Sequence, residues 1–164
     1  MDDRAVVTRQ LGRAPRAFHG VAARCPFGAP AVTEAEPYDE RGEPFPTTYY
    51  LTCPHLVVAV SRLEAAGGVE RFGRLAASEP ELRESLEEAT ALQRRLRVEL
   101  AAGRTGADDG ASLAFGIGGA RRPENLKCLH AHAAFALARP GYLLGERVLD
   151  ELEPLWPERC CTLA

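Results

Sequence analysis

The sequence predicts an α+β fold: a small antiparallel three-stranded sheet near the N-terminus, packed against four or five helices. Two patterns lead there. β-branched and aromatic residues concentrate before residue 53, above all in Thr47-Thr48-Tyr49-Tyr50-Leu51-Thr52, and such residues suit a pleated, half-buried surface. From residue 54 onward the apolar residues instead recur at spacings of three and four, the repeat of an amphipathic helix. A chain of 164 residues that is 46% hydrophobic buries enough surface for one core without disulfides or a metal.

Residues 1–15 are polar and of mixed charge, and read as a lead-in with a helical turn or two; 16–153 form the single domain, and 154–164 a C-terminal tail. Arg16 to Cys25 is the first strand, Cys25-Pro26-Phe27-Gly28-Ala29-Pro30 a turn punctuated by proline and glycine, and Ala31 to Ala35 the second strand. A loop from Pro37 to Pro46 leads to the third strand, Thr47–Thr52. Pro54 suits a first helical turn, and Leu56, Val57, Val60 and Leu63 continue that helix to Gly67-Gly68. A short helix over 69–76 follows. Ser78 and Glu81 have the spacing of a capping box, opening a helix with the apolar stripe Leu82, Leu86, Ala89, Leu92, Leu96 and Leu100. The charged run Gln93–Arg97 is placed on its solvated face. Arg104–Ser112 reads as a mobile polar insert. Pro123 or Glu124 opens a helix through Leu137, and a last helix covers 145–152.

The net charge is −3, which argues against a protein that holds nucleic acid by bulk positive charge. No apolar run approaches the roughly 20 residues of a membrane span, and Met1-Asp2-Asp3-Arg4 opens no signal peptide. The expected location is the cytoplasm, where the five cysteines stay free unless they hold a metal or do redox work.

Those cysteines carry the functional reading. In an antiparallel meander the first and third strands run the same way, so Cys25 and Cys53, which close them, lie at one end of the sheet. Cys128 falls in the first turns of the predicted helix, with His130 and His132 two and four residues on. Residues i and i+4 share a helix face, so Cys128 and His132 point together; His130 joins them if that first turn is irregular. Three thiolates and one imidazole are a tetrahedral zinc set, although soft ligands also suit an iron–sulfur cluster or Cu(I). Each cysteine taken alone fits core packing better than ligation, and it is their shared placement at element ends that argues for a site. His55, next to Cys53, is an alternative ligand, and Cys160-Cys161 sit in the tail. Glu64, on the helix leaving Cys53, is read as solvated or paired with Arg62.

The strings Arg24-Cys25-Pro26-Phe27-Gly28-Ala29-Pro30, Pro44-Phe45-Pro46-Thr47-Thr48-Tyr49-Tyr50-Leu51-Thr52-Cys53-Pro54, Ser61-Arg62-Leu63-Glu64 and Lys127-Cys128-Leu129-His130 resemble an uncharacterised bacterial family, domain of unknown function 501, of actinobacterial type. The resemblance covers about Leu11 to Leu149. It implies a bacterial cytosolic protein and assigns no activity. Its Lys-Cys-Leu-His block ranks His130 ahead of His132 as the imidazole. Several relatives carry a further histidine where this chain has Phe135, so a ligand or base there is missing.

A second feature is the Gly-rich loop 116–122, Gly116-Ile117-Gly118-Gly119-Ala120-Arg121-Arg122, followed by Lys127. Exposed amides and basic side chains attract anions, which makes Gly118, Gly119, Arg121 and Lys127 candidate contacts for a phosphate or carboxylate. It is neither a dinucleotide fingerprint nor a Walker loop. Two functions follow. In the first, zinc is a structural clamp in an interaction or regulatory module with a protein partner. In the second, the metal or the Cys128 thiolate does chemistry on a small anionic ligand held by the loop. The absence of a strong acid–base motif favours the clamp.

Overall fold

The computed structural model describes residues 2–162. In chain order the elements are α1 (Asp3–Leu11), β1 (Phe18–Arg24), β2 (Pro30–Ala35), β3 (Tyr49–Leu51), α2 (Pro54–Ala65), α3 (Gly68–Ser78), α4 (Pro80–Ala101), α5 (Leu129–Ala138) and α6 (Leu143–Asp150). Short 3₁₀ turns at Ala111–Ala114 and Ile117–Gly119 lie between α4 and α5. The strands form one antiparallel meander in the order β1-β2-β3, with Val32 of β2 opposite Ala23 on one side and Leu51 on the other. The predicted α+β architecture is therefore the observed one. No described helix is long and apolar enough to cross a membrane.

The core lies between the sheet and the helices, and α5 runs through it. Leu129 and all six residues from Ala131 to Ala136 are buried, because a helix packed on several sides needs an apolar surface all round. It packs on β3, α2 and α6. The approach to α6 is close: a Cβ added at Gly145 would stand 2.6 Å from the His132 carbonyl oxygen. The lead-in is also structured: α1 is capped by Asp2, which accepts from the Arg4 amide, and it buries Val6 and Val7 and packs on β1 and β2.

Four local expectations are corrected. Ser78 ends α3 with its hydroxyl bonded to the Leu75 carbonyl, so it caps nothing; α4 begins at Pro80, whose fixed φ and missing N–H fit a first helical turn. The α4 stripe holds through Leu82, Leu86 and Ala89 and then turns: Thr90, Gln93, Arg97 and Ala101 are buried, Gln93 and Arg97 being 1% and 0% exposed, while Leu92 and Leu96 pack only partly buried against the core. Arg97 donates to the Ser112 and Phe45 carbonyls and to Thr48 Oγ1, and Gln93 donates to the Phe115 carbonyl. Polar side chains are buried here because loop carbonyls, which have no ladder partners, need donors.

The segment 104–112 is tied down rather than loose. Asp108 accepts from the Tyr38 hydroxyl and from the amides of Gly110 and Ser112. Finally, α5 starts at Leu129, with residues 121–128 outside any helix. Cys128 is its N-cap, in an extended conformation at φ −156° and ψ 156°, so the i, i+4 pairing of Cys128 with His132 does not exist.

Candidate metal centre

Two helices meet at the centre. On α2, Val57, Ser61 and Glu64 fall at spacings of four and three and so share one face. That face meets the first turn of α5. Glu64 spans the junction: its Oε2 accepts from the Leu129 amide at 2.6 Å, and its Oε1 lies 3.0 Å from His130 Nδ1. A carboxylate at a helix N-terminus is favourably placed, because the first amides there lack intrahelical partners. The other ring nitrogen, His130 Nε2, lies 3.1 Å from Ser61 Oγ and 3.2 Å from the Val57 carbonyl oxygen.

Cys128 completes the group. Donor atoms of Glu64, Cys128 and His130 lie within 4.8 Å of one another, and the three residues could hold a metal ion. All three are half-buried. Burial pushes the Cys128 thiol pKa up and the Glu64 charge adds to the rise, while the amides of Ala131 and His130 and the charge of Lys127 pull against it. A cation at the same place would reverse that balance, since a coordinated thiol is deprotonated. Cys128 and His130 also line a cavity of about 540 Å³, together with Gln10, Tyr49, Tyr50 and Val57.

The hydrogen-bond partners of His130 limit its state. The Val57 carbonyl and the Glu64 carboxylate are acceptors only. If Nε2–H donates to Val57, then Nδ1 must either carry a second proton or share a cation with Glu64. If instead Ser61 donates to Nε2, Nδ1–H donates to Glu64, and the three residues form a serine–histidine–carboxylate relay.

The five sequence-predicted ligands separate. Cys128 and His130 are brought together. Cys25 and Cys53 do sit at one end of the sheet, bonding through their amides to Ala29 and Ala31 at the start of β2. Among the described residues, however, they join no group of mutually close donors with Cys128. Both thiols lie in the hydrophobic core. The Cys53 sulfur rests 3.7 Å from that of Cys161, and burial pushes its pKa up to about 11. His132 is wholly buried and faces Tyr142, with Nδ1 2.7 Å from the hydroxyl. His55 Nε2 lies 2.9 Å from the Pro154 carbonyl. Among the described residues, the donors that come close together are thus one sulfur, one nitrogen and one carboxylate oxygen, not the expected three sulfurs and one nitrogen.

Glu64, expected in solvent or paired with Arg62, instead meets His130 and the Leu129 amide. Its signal was present in the spacing of Ser61 and Glu64 on the helix that follows Cys53. Of the loop residues, Gly119, Arg121 and Lys127 line one cavity with Arg122, whereas Gly118 lies against Cys128, whose sulfur would be 3.8 Å from a Cβ there.

A model of the family described as protein of unknown function (DUF501) matches residues 21–150. The chain belongs to this family. The matched span contains Glu64, Cys128 and His130 and ends at the close of α6. No curated protein and no solved structure matches the chain.

Proposed function

We propose that Glu64, Cys128 and His130 hold one zinc-class divalent cation through carboxylate oxygen, Sγ and Nδ1, and that the protein is a metal-dependent enzyme. The observation that carries this reading is the convergence of three chemically different donors, two of which, Cys128 and His130, line a cavity. Four protein ligands close a structural zinc site, whereas three leave a position for water or substrate. One sulfur, one nitrogen and one oxygen suit zinc better than an iron–sulfur cluster or Cu(I), which take mostly sulfur. A cation between Nδ1 and Glu64 also satisfies two facing lone pairs, with Nε2–H fixed by Val57 or Ser61 in the supporting role that histidine ligands usually need. Such a cation supplies Lewis acidity and an activated water to a substrate in the cavity. Five free thiols support a reducing, cytoplasmic setting.

A second reading has its own observation: Glu64 already joins α2 to α5, so a cation there would also clamp two helices, as in an interaction module. Cobalt titration separates the cases. The expected result is one equivalent bound, with tetrahedral visible bands and a thiolate charge-transfer band. Cys128→Ser removes the charge-transfer band, and Cys25→Ser and Cys53→Ser keep it. Bands lost in all three variants would restore the Cys3His set, and absence of binding would end the metal reading. Stripping the metal leaves the melting temperature nearly unchanged for the enzyme and lowers it sharply for the clamp.

A further inference from the structure

The segment 115–127 forms a second cavity, of about 460 Å³, with Phe115, Gly119, Arg121, Arg122, Lys127 and, from the strand-leading loop, Pro46. Three cationic side chains therefore share one concavity, and all three are exposed. Among the described residues, none of the three takes part in an ion pair. The contrast with the other arginine-rich cavity, lined by Arg4, Arg16, Arg41 and Arg104, is informative. There Glu36, Asp39 and Glu40 line the cavity as well, and two of the four arginines are paired, Arg16 with Asp39 at 2.8 Å and Arg104 with Glu36 at 2.7 Å. In a chain of net charge −3, three clustered cations without carboxylates repel one another, and a bound anion relieves that repulsion.

The walls are also specific. The Arg121 guanidinium carbon lies 5.8 Å from the centre of the Phe115 ring, a cation–π placement that restrains it. Gly119 has φ +77°, and a Cβ there would come within 2.7 Å of Pro46 Cβ. Only glycine lets the loop take that backbone shape and close against Pro46. Phe115 and Pro46 thus give the cavity an apolar wall beside its cations.

We infer that this cavity binds a phosphate-bearing small molecule, with the phosphate among Arg121, Arg122 and Lys127 and the organic group against Phe115 and Pro46. Arginine forks suit phosphate oxygens, and lysine adds a point charge. The inference goes beyond the metal reading and does not depend on it.

The test is calorimetric titration of the full chain with phenyl phosphate, inorganic phosphate and phenol. Saturable one-to-one binding of phenyl phosphate is expected, weaker binding of inorganic phosphate, and none of phenol. The Arg121→Ala/Arg122→Ala variant, which alters only exposed side chains, binds at least tenfold more weakly. The Arg13→Ala/Arg95→Ala variant, which removes two exposed charges elsewhere, binds as the parent does. Cys128→Ser also binds as the parent does, so a failure of the metal reading would show in cobalt spectra and not here. Lack of saturable binding, or equal losses in the two double variants, would overturn the inference.

Discussion

A single substitution can separate the bond that Glu64 accepts from the Leu129 amide from the metal ligation proposed for it. Gln at this position still accepts from the Leu129 amide but offers no anionic ligand. Glu64→Gln should therefore weaken cobalt binding while leaving stability nearly intact. Glu64→Ala should lose both, destabilising by about 1–2 kcal/mol as an N-terminal cap is removed. Denaturant titrations beside cobalt spectra check the split. His132 gives a pH dependence. Burial pushes its pKa down to about 4 from an ordinary 6.5, and the folded chain holds the ring neutral against Tyr142, whose own pKa burial raises. As pH falls, the unfolded chain takes the proton first. The stability is whole above about pH 6.5 and is lost progressively toward about pH 4, by on the order of 3 kcal/mol. Unfolding free energies measured from pH 7 to pH 4 should show this slope in the parent and a shallower one in His132→Asn. Arg97 is the other residue with an outsized role. Arg97→Ala takes the side-chain donor from the Phe45 carbonyl, leaves the Ser112 carbonyl only the Phe115 amide, and opens a cavity, and should cost about 3–5 kcal/mol.

Helix ends and helix contacts carry the next predictions. Ala102 caps α4 in the left-handed region at φ 49° and ψ 44°, a conformation that strains any residue with a Cβ. Ala102→Gly should stabilise the chain by up to about 1 kcal/mol, read as a rise in melting temperature. Gly145→Ala should do the opposite, because the new methyl would meet both the His132 carbonyl and the Ala136 Cβ, 2.7 Å away. Overpacking of this kind costs about 1–3 kcal/mol, and the loss should appear in chemical denaturation. The same contact explains why α5 is so rich in alanine: small side chains let α6 approach a helix that is already covered by the sheet.

Contacts between distant parts of the chain bring the tail onto the domain. Gln10 donates to the Pro30 carbonyl and to Thr162 Oγ1, His55 meets Pro154, and Cys53 lies against Cys161. Leu155, Trp156 and Cys160 pack on the core. Removal of residues 154–164 should uncover Cys53, which a thiol reagent would then label in the native chain; unchanged labelling would mean that the tail does not shield it.

The meander and the helices from Pro54 onward were legible because each is written in local order: alternation, three–four spacing, and proline or glycine at the ends. The nearness of Cys128 and His130 was legible as well, from two positions in one short string. Three things were not. The helix predicted from Pro123 begins at Leu129, because residues 121–128 are claimed by the loop around the second cavity. Beyond Ala89 the inward face of α4 turns toward Gln93 and Arg97, because loop carbonyls elsewhere in the chain required donors. Glu64 joined the centre because α2 packs across the first turn of α5. Periodicity and punctuation, which act between near neighbours, determined the elements and their order. Which polar groups face one another depends on packing between residues that stand 15 to 73 positions apart in the chain, and only the assembled core decided that.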